Sequence, residues 1–452
     1  MQRPWGGRFD PGGEHVTMSR PVAAMAALAV LTTGLAPGLG AGFIAGPAAA
    51  SIEHPAVVGE DPADHTPHLV AGAGAFPLAL AVAERGGTTY VGGRFDAVEN
   101  AGRTQTTPRR NLVAFDATTG AIDVTFDPAF DGDVYALLAT ADSVYVGGSF
   151  KTVDGVTRPA LAKLDADTGR LDTSFLPPVQ GGRVSEIRLV DGRLLVGGTF
   201  RQHLLAVDPG TGRNTGYLDI SIDDRLPLST SKVEVYRFAV DPARTRLMAV
   251  GNFSTVQGQT RRRAFMLNLG PDAATLNRWY YPPLHDKCRT DSPSKQAYLE
   301  DVDFSPDGSY FVFASTGYVT ALSSQIGTHV CDAAARFETD VAAPTKPTWI
   351  NYTGGDTLHA VAVTGAAAYV QGHNRWLDNP LGKDSAGPGA VERRGIGAID
   401  PATGNALAWN PDKPARQGGQ DFLVTDTGLW VPSDSQRFNG EYHRGIAFVP
   451  LP

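Results

Sequence analysis

Short alternations of apolar and polar residues recur along most of the chain, and they come in pairs joined by a tight polar turn. The pairs read VYALLATADSVYVGG, VSEIRLVDGRLLVGG, VYRFAVDPARTRLMAVG, LEDVDFSPDGSYFVFAS, LHAVAVTGAAAYVQG and DFLVTDTGLWVPS. A period of two on both sides of a short turn is the signature of a β-hairpin. The second strand repeatedly runs into glycines: YVGGRF from Tyr90, YVGGSF from Tyr145, LVGGTF from Leu195 and a shortened AVGNF from Ala249. One anchor per strand gives Tyr90, Tyr145, Leu195, Ala249, Phe311, Tyr369 and Trp430, separated by 55, 50, 54, 62, 58 and 61 residues. A third strand follows (NLVAFD, ALAKLD, LLAVD, GIGAID) and then a turn of the form DATTG, DADTG, DPGTG or DPATG. A weaker fourth strand ends in an aromatic-x-Pro step, as at Phe126 and Pro128, Phe175 and Pro177, Tyr280 and Pro282, and Trp409 and Pro411.

Seven copies at this period, four antiparallel strands in each and no helical periodicity predict an all-β fold, a seven-bladed β-propeller over residues 66–452. A pair of β-sandwiches or an open solenoid are the other architectures this pattern allows. The last unit ends after its third strand, HRGIAFVPLP, so the segment Thr66 to Gly72 (TPHLVAG) is expected to complete the seventh blade and cover its edge. The paired glycines are expected where the backbone bends and approaches a neighbour closely, with Phe95, Phe150, Phe200 and Phe253 packed between blades.

The motifs together carry a resemblance. The (Y/L)VGG-x-F strand, the D-x-x-TG turn and the passages SPDGSYFVFAS, WINYTGGDTLHAVAV, YVQGHNRWLDNP and AGPGAVERRGIGAIDPATG resemble the delta-60 repeat β-propeller family of secreted bacterial proteins, over about residues 66–452. The resemblance implies a propeller and export, and no particular reaction, cofactor or ligand. One departure is that Gln371 interrupts the glycine pair of the sixth copy.

Composition changes the picture at the N-terminus. Residues 21–52 carry no charge, follow Arg20 and end in the small run Ala48, Ala49, Ala50 and Ser51. A basic flank, an apolar stretch and a small-x-small site predict a signal peptide over residues 1–50, with a possible start at Met18, and a linker over 51–65. An uncleaved membrane anchor is the alternative. The mature chain is then expected to be extracellular with no membrane span. In that compartment the chain's two cysteines, Cys288 and Cys331, are expected to form a disulfide. The net charge of −8, without a dense basic run, argues against a nucleic-acid partner.

Candidate chemistry gathers on the longer connections, those between second and third strands and those entering each new inner strand. The sixth unit brings Trp349, Tyr352, Asp356, His373, Arg375, Trp376 and Asp384 towards one sector. Aromatic planes beside Asp and Arg suit a polar-ring ligand such as an extracellular glycan, or a cell-surface protein. The alternative within the same residues is a structural one: the tryptophans pin a long loop and Asp384 pairs with Arg375. A hydrolase or lyase reading would use Asp356, His359, His373 and Asp384 as acid and base groups. A structural module of an exported assembly is a third reading. Entries to the inner strands carry Asp133, Arg183, Lys232, Glu234, Glu300, Asp356 and Asp421, a mixture of signs that does not suggest a metal centre. Asp165 to Asp172 resembles the start of a calcium loop, but its counterparts lack the second acid, so it is expected to be a turn. No P-loop, HExxH or GxSxG motif occurs, and no metal or cofactor is expected.

Overall fold

In a computed structural model, residues 52–72, 75–286, 288, 297–317 and 323–452 are described. The segment expected to direct export lies outside them. Among the described residues seven antiparallel meanders succeed one another and there is no α-helix. The first meander consists of Leu78–Arg85, Thr88–Arg94 and Leu112–Asp116. The second is Val134–Ala139, Ser143–Gly148 and Leu161–Asp165, and the last is Leu423–Thr425, Gly428–Pro432 and Ile446–Pro450. From the first to the sixth, each inner strand packs beside the inner strand of the next meander. The first and last meanders also meet: Trp430 Nε1 donates to Glu84 at 2.8 Å, and the Trp430 ring packs against Phe115. This is an all-β, propeller-type arrangement, with a core in each gap between neighbouring sheets.

The repeated glycines have two separate jobs. A Cβ on Gly92 or Gly147 would collide with Val134 or Val184 of the following meander. A Cβ on Gly93, Gly148 or Gly198 would instead strike the backbone carbonyl of Leu78, Asp133 or Arg183, on the inner strand of its own sheet. The first glycine therefore sets the distance between sheets and the second the distance between strands. The phenylalanines behave as expected: Phe95, Phe150, Phe200 and Phe253 are fully buried, and Phe150 meets Phe130 edge-on at 4.7 Å. In the sixth meander the buried Gln371 fills the gap that glycine leaves elsewhere, and its amide donates to the carbonyls of Asp421 and Pro432 in the last meander. Gly419 makes room for it, since a Cβ there would meet the Gln371 amide.

Four full strands per unit is an expectation the structure corrects. Ala274–Leu276 and Trp349–Tyr352 are proper fourth strands, but in the first, second, third and sixth units the return is a single bridge, such as Phe115 with Ile122 or Leu164 with Leu171. The cause is local. Immediately after the bridge Asp123 accepts from the Thr125 and Phe126 amides, and Asp172 accepts from the Ser174 amide and hydroxyl. These side-chain bonds turn the chain off the ladder. The preceding D-x-x-T-G segment is a turn as expected: Asp165 Oδ1 accepts from the amide and hydroxyl of Thr168.

The closing strand also differs from expectation. His68–Val70, within Thr66 to Gly72, pairs with Ala97–Glu99 of the first meander's connection and not with the outer edge of the last meander. That outer edge receives the amides of Gly59 and Ala63, which donate to Pro450 and Phe448 at 2.9 and 2.8 Å. Residues 52–65, expected as a connector, thus pack against the last two meanders, with Trp409 Nε1 donating to Gly59 and Val58 buried. Burial explains the choice made by the downstream strand. Leu69 is completely buried in the apolar cluster shared by the first and last meanders, against Gly445, a site an open edge would not supply.

A histidine pair sits at this junction. His443 Nδ1 is bonded to Thr66 Oγ1 at 2.8 Å, and its Nε2 lies 3.5 Å from Glu441. His68 packs edge-on against Tyr442, its Nε2 is bonded to the Ala101 carbonyl, and Arg103 stacks on the other partner of this group, Tyr442. Burial pushes the His68 imidazole down to about 4, with His443 and Arg103 acting in the same direction. Burial also lowers His443, against the opposing pull of Glu441, Asp64 and Asp61. The disulfide Cys288–Cys331 forms as expected, with Cα atoms 5.6 Å apart, inside a small cluster with Ala297, Ala333 and Tyr352.

The last unit departs from the repeat at the buried aromatic pair. Where Phe130 faces Phe150 and Val179 accompanies Phe200, the equivalent positions are Lys413 and Ser435. Both are buried, and neither the Lys413 ammonium nor the Ser435 hydroxyl has a hydrogen-bond partner among the described residues. Burial pushes Lys413 down to about 8, against the attraction of Asp434.

Two outcomes follow from these contacts. Gly148→Ala sets a methyl against a backbone carbonyl that cannot rotate away, so denaturant unfolding should show a loss of about 1–3 kcal/mol, whereas Gly102→Ala, which meets only a Thr104 methyl at 4.0 Å, should cost less. For the junction, a folded-state value below the ordinary 6.5 means the unfolded chain takes up the His68 proton first. Stability should then fall as pH drops from about 6.5 and stop responding to this group below about 4. His68→Phe keeps a ring beside Tyr442 without the titration, so melting temperatures of variant and parent should converge as pH is lowered over that interval. A constant difference would refute the assignment.

Candidate functional site

The inner strands are not regular. In each of the first six, one residue is skipped in the pairing with the second strand: Leu80, Tyr135, Ser185, Tyr236, Glu300 and His359. Each is a β-bulge, which re-aims a side chain out of the pleat. In the last meander, counting back from Leu423, the partner of anchor Trp430, puts Gln420 at the same place. All seven residues line one cavity of about 340 Å³, together with Leu78, Arg94, Arg183, Glu234, Arg237, Tyr298 and Gln417. One irregularity, repeated in the first six units, therefore builds a common mouth that Gln420 of the last unit completes.

The mouth is polar but largely neutralised. Arg183 Nε bonds Glu234 at 2.9 Å, Ser185 Oγ donates to the same carboxylate at 2.7 Å, and the guanidinium stacks on Tyr135. Arg94 pairs with Asp133, and the Tyr135 hydroxyl reaches that carboxylate at 3.3 Å. Burial pushes the Glu234 carboxyl up, opposed by Arg183. Tyr236 and Tyr298 meet edge-on at 5.9 Å, and Tyr298 bonds Ser229.

A second level lies one and three residues beyond each bulge, where strand alternation returns the side chain to the same interior. It contains Glu186, Arg237, Asp301 and Asp421, then Arg188 and Asp303. Arg237 donates to Glu186, to the Ser185 carbonyl and to the Gln420 carbonyl. The acids finish bonds that the inner edge of the neighbouring sheet leaves open: Asp301 accepts from Val361, Asp303 from Val363 and Asp421 from Val82, at 2.9, 2.8 and 3.1 Å. Burial drives Asp301 well above the carboxylate range, Asp303 up to about 7 and Asp421 up to about 6. These groups join sheets together. Among the described residues no three His, Cys, Asp or Glu side chains are placed to hold a metal ion.

The sixth-unit residues divide into two sets. Asp356 is buried and accepts three bonds from Arg375, one from its amide and two from its guanidinium, at 2.9, 3.0 and 2.6 Å. The same guanidinium reaches the exposed Asp384 and stacks on the half-buried Trp376 at 4.4 Å. The bonds to Asp356 first, and Asp384 beside them, raise the Arg375 pKa further. His373 and His359 meet edge-on at 6.1 Å next to this clamp. Crowding by protein first, then His359, holds His373 below the ordinary imidazole range even though the residue as a whole is solvent-exposed.

Trp349 and Tyr352 are not part of that group. They lie on a fourth strand, 8% and 3% exposed, and their polar atoms are engaged internally. Trp349 Nε1 donates to Pro401 at 2.8 Å, while the Tyr352 hydroxyl takes the Gly327 amide and donates to His329. Burial pushes Tyr352 up to about 12. They join the fifth sheet to the sixth and pack beside the disulfide, with no face left for a ligand. For acid–base chemistry the arrangement is poor: Arg375 holds both Asp356 and Asp384, and no hydrogen bond joins either imidazole to a carboxylate. The ion pair nearest to this geometry is His359 with Glu300, at 3.8 Å. Of the inner-strand entries, Arg183, Glu234 and Glu300 reach the mouth, Asp133 stands behind Arg94, and Asp421 lies one level deeper. Sequence reading missed the bulge residues: in the first, second, third and sixth units each lies three positions before the residue opposite the anchor, but in the fourth it lies two before and in the fifth four, so the spacing alone does not mark them.

Comparison with known proteins is consistent with this geometry. A family model described as a domain of unknown function (DUF5122) beta-propeller matches residues 142–175. No curated protein matches the chain significantly. Among solved structures, that of U3-55K has a TM-score of 0.51 at 7% identity, over 86% of this chain and 100% of that one. The RRP9 WD40 repeats have a TM-score of 0.51 at 8% identity, over 86% of this chain and 99% of that one. At such identities the likeness concerns the fold alone, and together these matches assign the chain to the β-propeller repeat architecture.

Proposed function

We propose that the protein is an exported, non-catalytic β-propeller of seven blades that binds an extracellular ligand, a glycan or a cell-surface protein, on the face carrying the mouth and the Arg375 clamp. The reading of seven blades rests on the seven meanders, and ring closure on the contacts of Glu84 with Trp430 and Val82 with Asp421. The observation that carries the functional reading is the convergence of six bulge residues and Gln420, of differing chemistry, on one cavity, with the half-buried Arg375 and Trp376 close behind His373, which meets the mouth residue His359. Concavity with a few convergent polar groups and aromatic surface is the usual form of a binding site. A binding role also fits the propeller architecture better than an acid–base one, because the clamp leaves no carboxylate hydrogen-bonded to an imidazole. Large exposed apolar residues such as Val124, Leu176, Leu228 and Leu381 are distributed singly, which gives little support to a purely structural module. Export is supported by the uncharged N-terminal stretch and by the disulfide.

Two measurements test this. Protein recovered from the medium of a secreting host should begin at about Ser51 by N-terminal sequencing; retention of residues 1–50 in the membrane would favour the anchored alternative. On a glycan array and on intact cells, Arg375→Ala and Trp376→Ala should each weaken binding by about tenfold, the loss expected from one charge-assisted bond or stacked ring. Full binding by both variants would remove the face from consideration.

A further inference from the structure

We infer that the mouth cavity takes a neutral polyhydroxylated ring of pyranose size, an inference that rests on the ligand-binding reading above and names its chemistry. Size is the first constraint, since about 340 Å³ lies at the small end of ligand pockets. Charge is the second. An anion would find every guanidinium at the mouth already occupied, Arg94 by Asp133, Arg183 by Glu234 and Arg237 by Glu186. A cation would find Asp133, Glu234 and Glu186 taken by those same guanidinium groups and Glu300 facing the His359 imidazole at 3.8 Å. A neutral ligand meets neither obstacle.

The third constraint is the set of groups left over. The carboxamides of Gln417 and Gln420 and the Tyr236 hydroxyl line the cavity without a hydrogen bond to the described residues, and the Glu300 carboxylate, 3.8 Å from the His359 imidazole, keeps its oxygens free of hydrogen bonds as well. Carboxamides both donate and accept, and a carboxylate only accepts, so the set suits several hydroxyls on one ring. Tyr236, Tyr298 and Leu80 supply the apolar surface that the C–H face of such a ring needs. The repeat itself argues against a mere packing role. The second glycine, which sets the spacing between strands, recurs in five of the seven units, whereas the positions facing the mouth read Leu, Tyr, Ser, Tyr, Glu, His and Gln.

The test uses the purified chain and a titration panel read by calorimetry and saturation-transfer NMR: glucose, galactose, mannose and N-acetylglucosamine, with glucuronate and glucosamine as charged counterparts. A glycan array forms the second arm and separates a free sugar from the end residue of a longer glycan. At least one neutral sugar, free or terminal, should bind, and its charged counterpart should bind about tenfold more weakly. Glu300→Gln and Gln420→Ala should each weaken it about tenfold while the melting temperature stays near that of the parent. The inference is overturned if no neutral sugar binds in either arm, if the charged counterparts bind more tightly, or if both mouth variants bind normally. A glycan or surface protein whose binding is lost with Arg375→Ala but not with Glu300→Gln would overturn it while leaving the broader reading in place. Absence of any ligand for the face would overturn both.

Discussion

The close approach of the second glycine of the anchor to a carbonyl at the start of the neighbouring inner strand, made by Gly93, Gly148, Gly198, Gly251 and Gly372 in five of the seven units, is the contact on which the molecule depends. At Gly148 the second strand passes so near Asp133 that no side chain fits, and directly opposite, the inner strand carries its extra residue. The bulge and the glycine are two halves of one local geometry. A bulge bends a strand and increases its twist, and a strand without a side chain can follow that bend. The first glycine then admits the next sheet. Local backbone geometry, spacing between sheets and direction of the mouth residues all descend from the same two positions.

The inner strands have a free edge, and an unpaired edge is costly when water is scarce. Here it is completed by side chains from the adjoining sheet, through Asp301, Asp303 and Asp421. Their burial disfavours the charged form, while backbone donors and Arg237 favour it. The interior below the mouth is thus an electrostatic seam between sheets.

How much of this the sequence disclosed depends on the range of the interaction concerned. The hairpins, the D-x-x-T-G turns and the glycine pairs are local and repeat often, so they can be read directly. The fourth strands could not be read that way, because Asp123 and Asp172 withdraw the chain from the ladder with bonds that alternation does not register. For the closing segment, Thr66 to Gly72 was recognisable as a strand, but its partner was fixed by the burial of Leu69 between sheets remote in sequence. Trp349 and Tyr352 looked like ligand-facing aromatics because they precede a loop, yet they belong to a true fourth strand. The Arg375 to Asp384 pairing was legible from loop composition, whereas the dominant partner, Asp356, became apparent only with the fold.

The exchange of an aromatic pair for Lys413 and Ser435 gives the succession of sheets an unequal joint. Elsewhere the wedge entering a sheet is held by hydrocarbon contact, which favours the closed form at any pH. At this joint the filler is an amine whose ionisation is discouraged by its surroundings, so acidification loads it with a charge that only water can solvate well. The joint lies next to the strands that bring the two chain ends together. Below about pH 8 that amine carries its charge inside the wedge, so this joint gains less from burial than its hydrocarbon-filled counterparts.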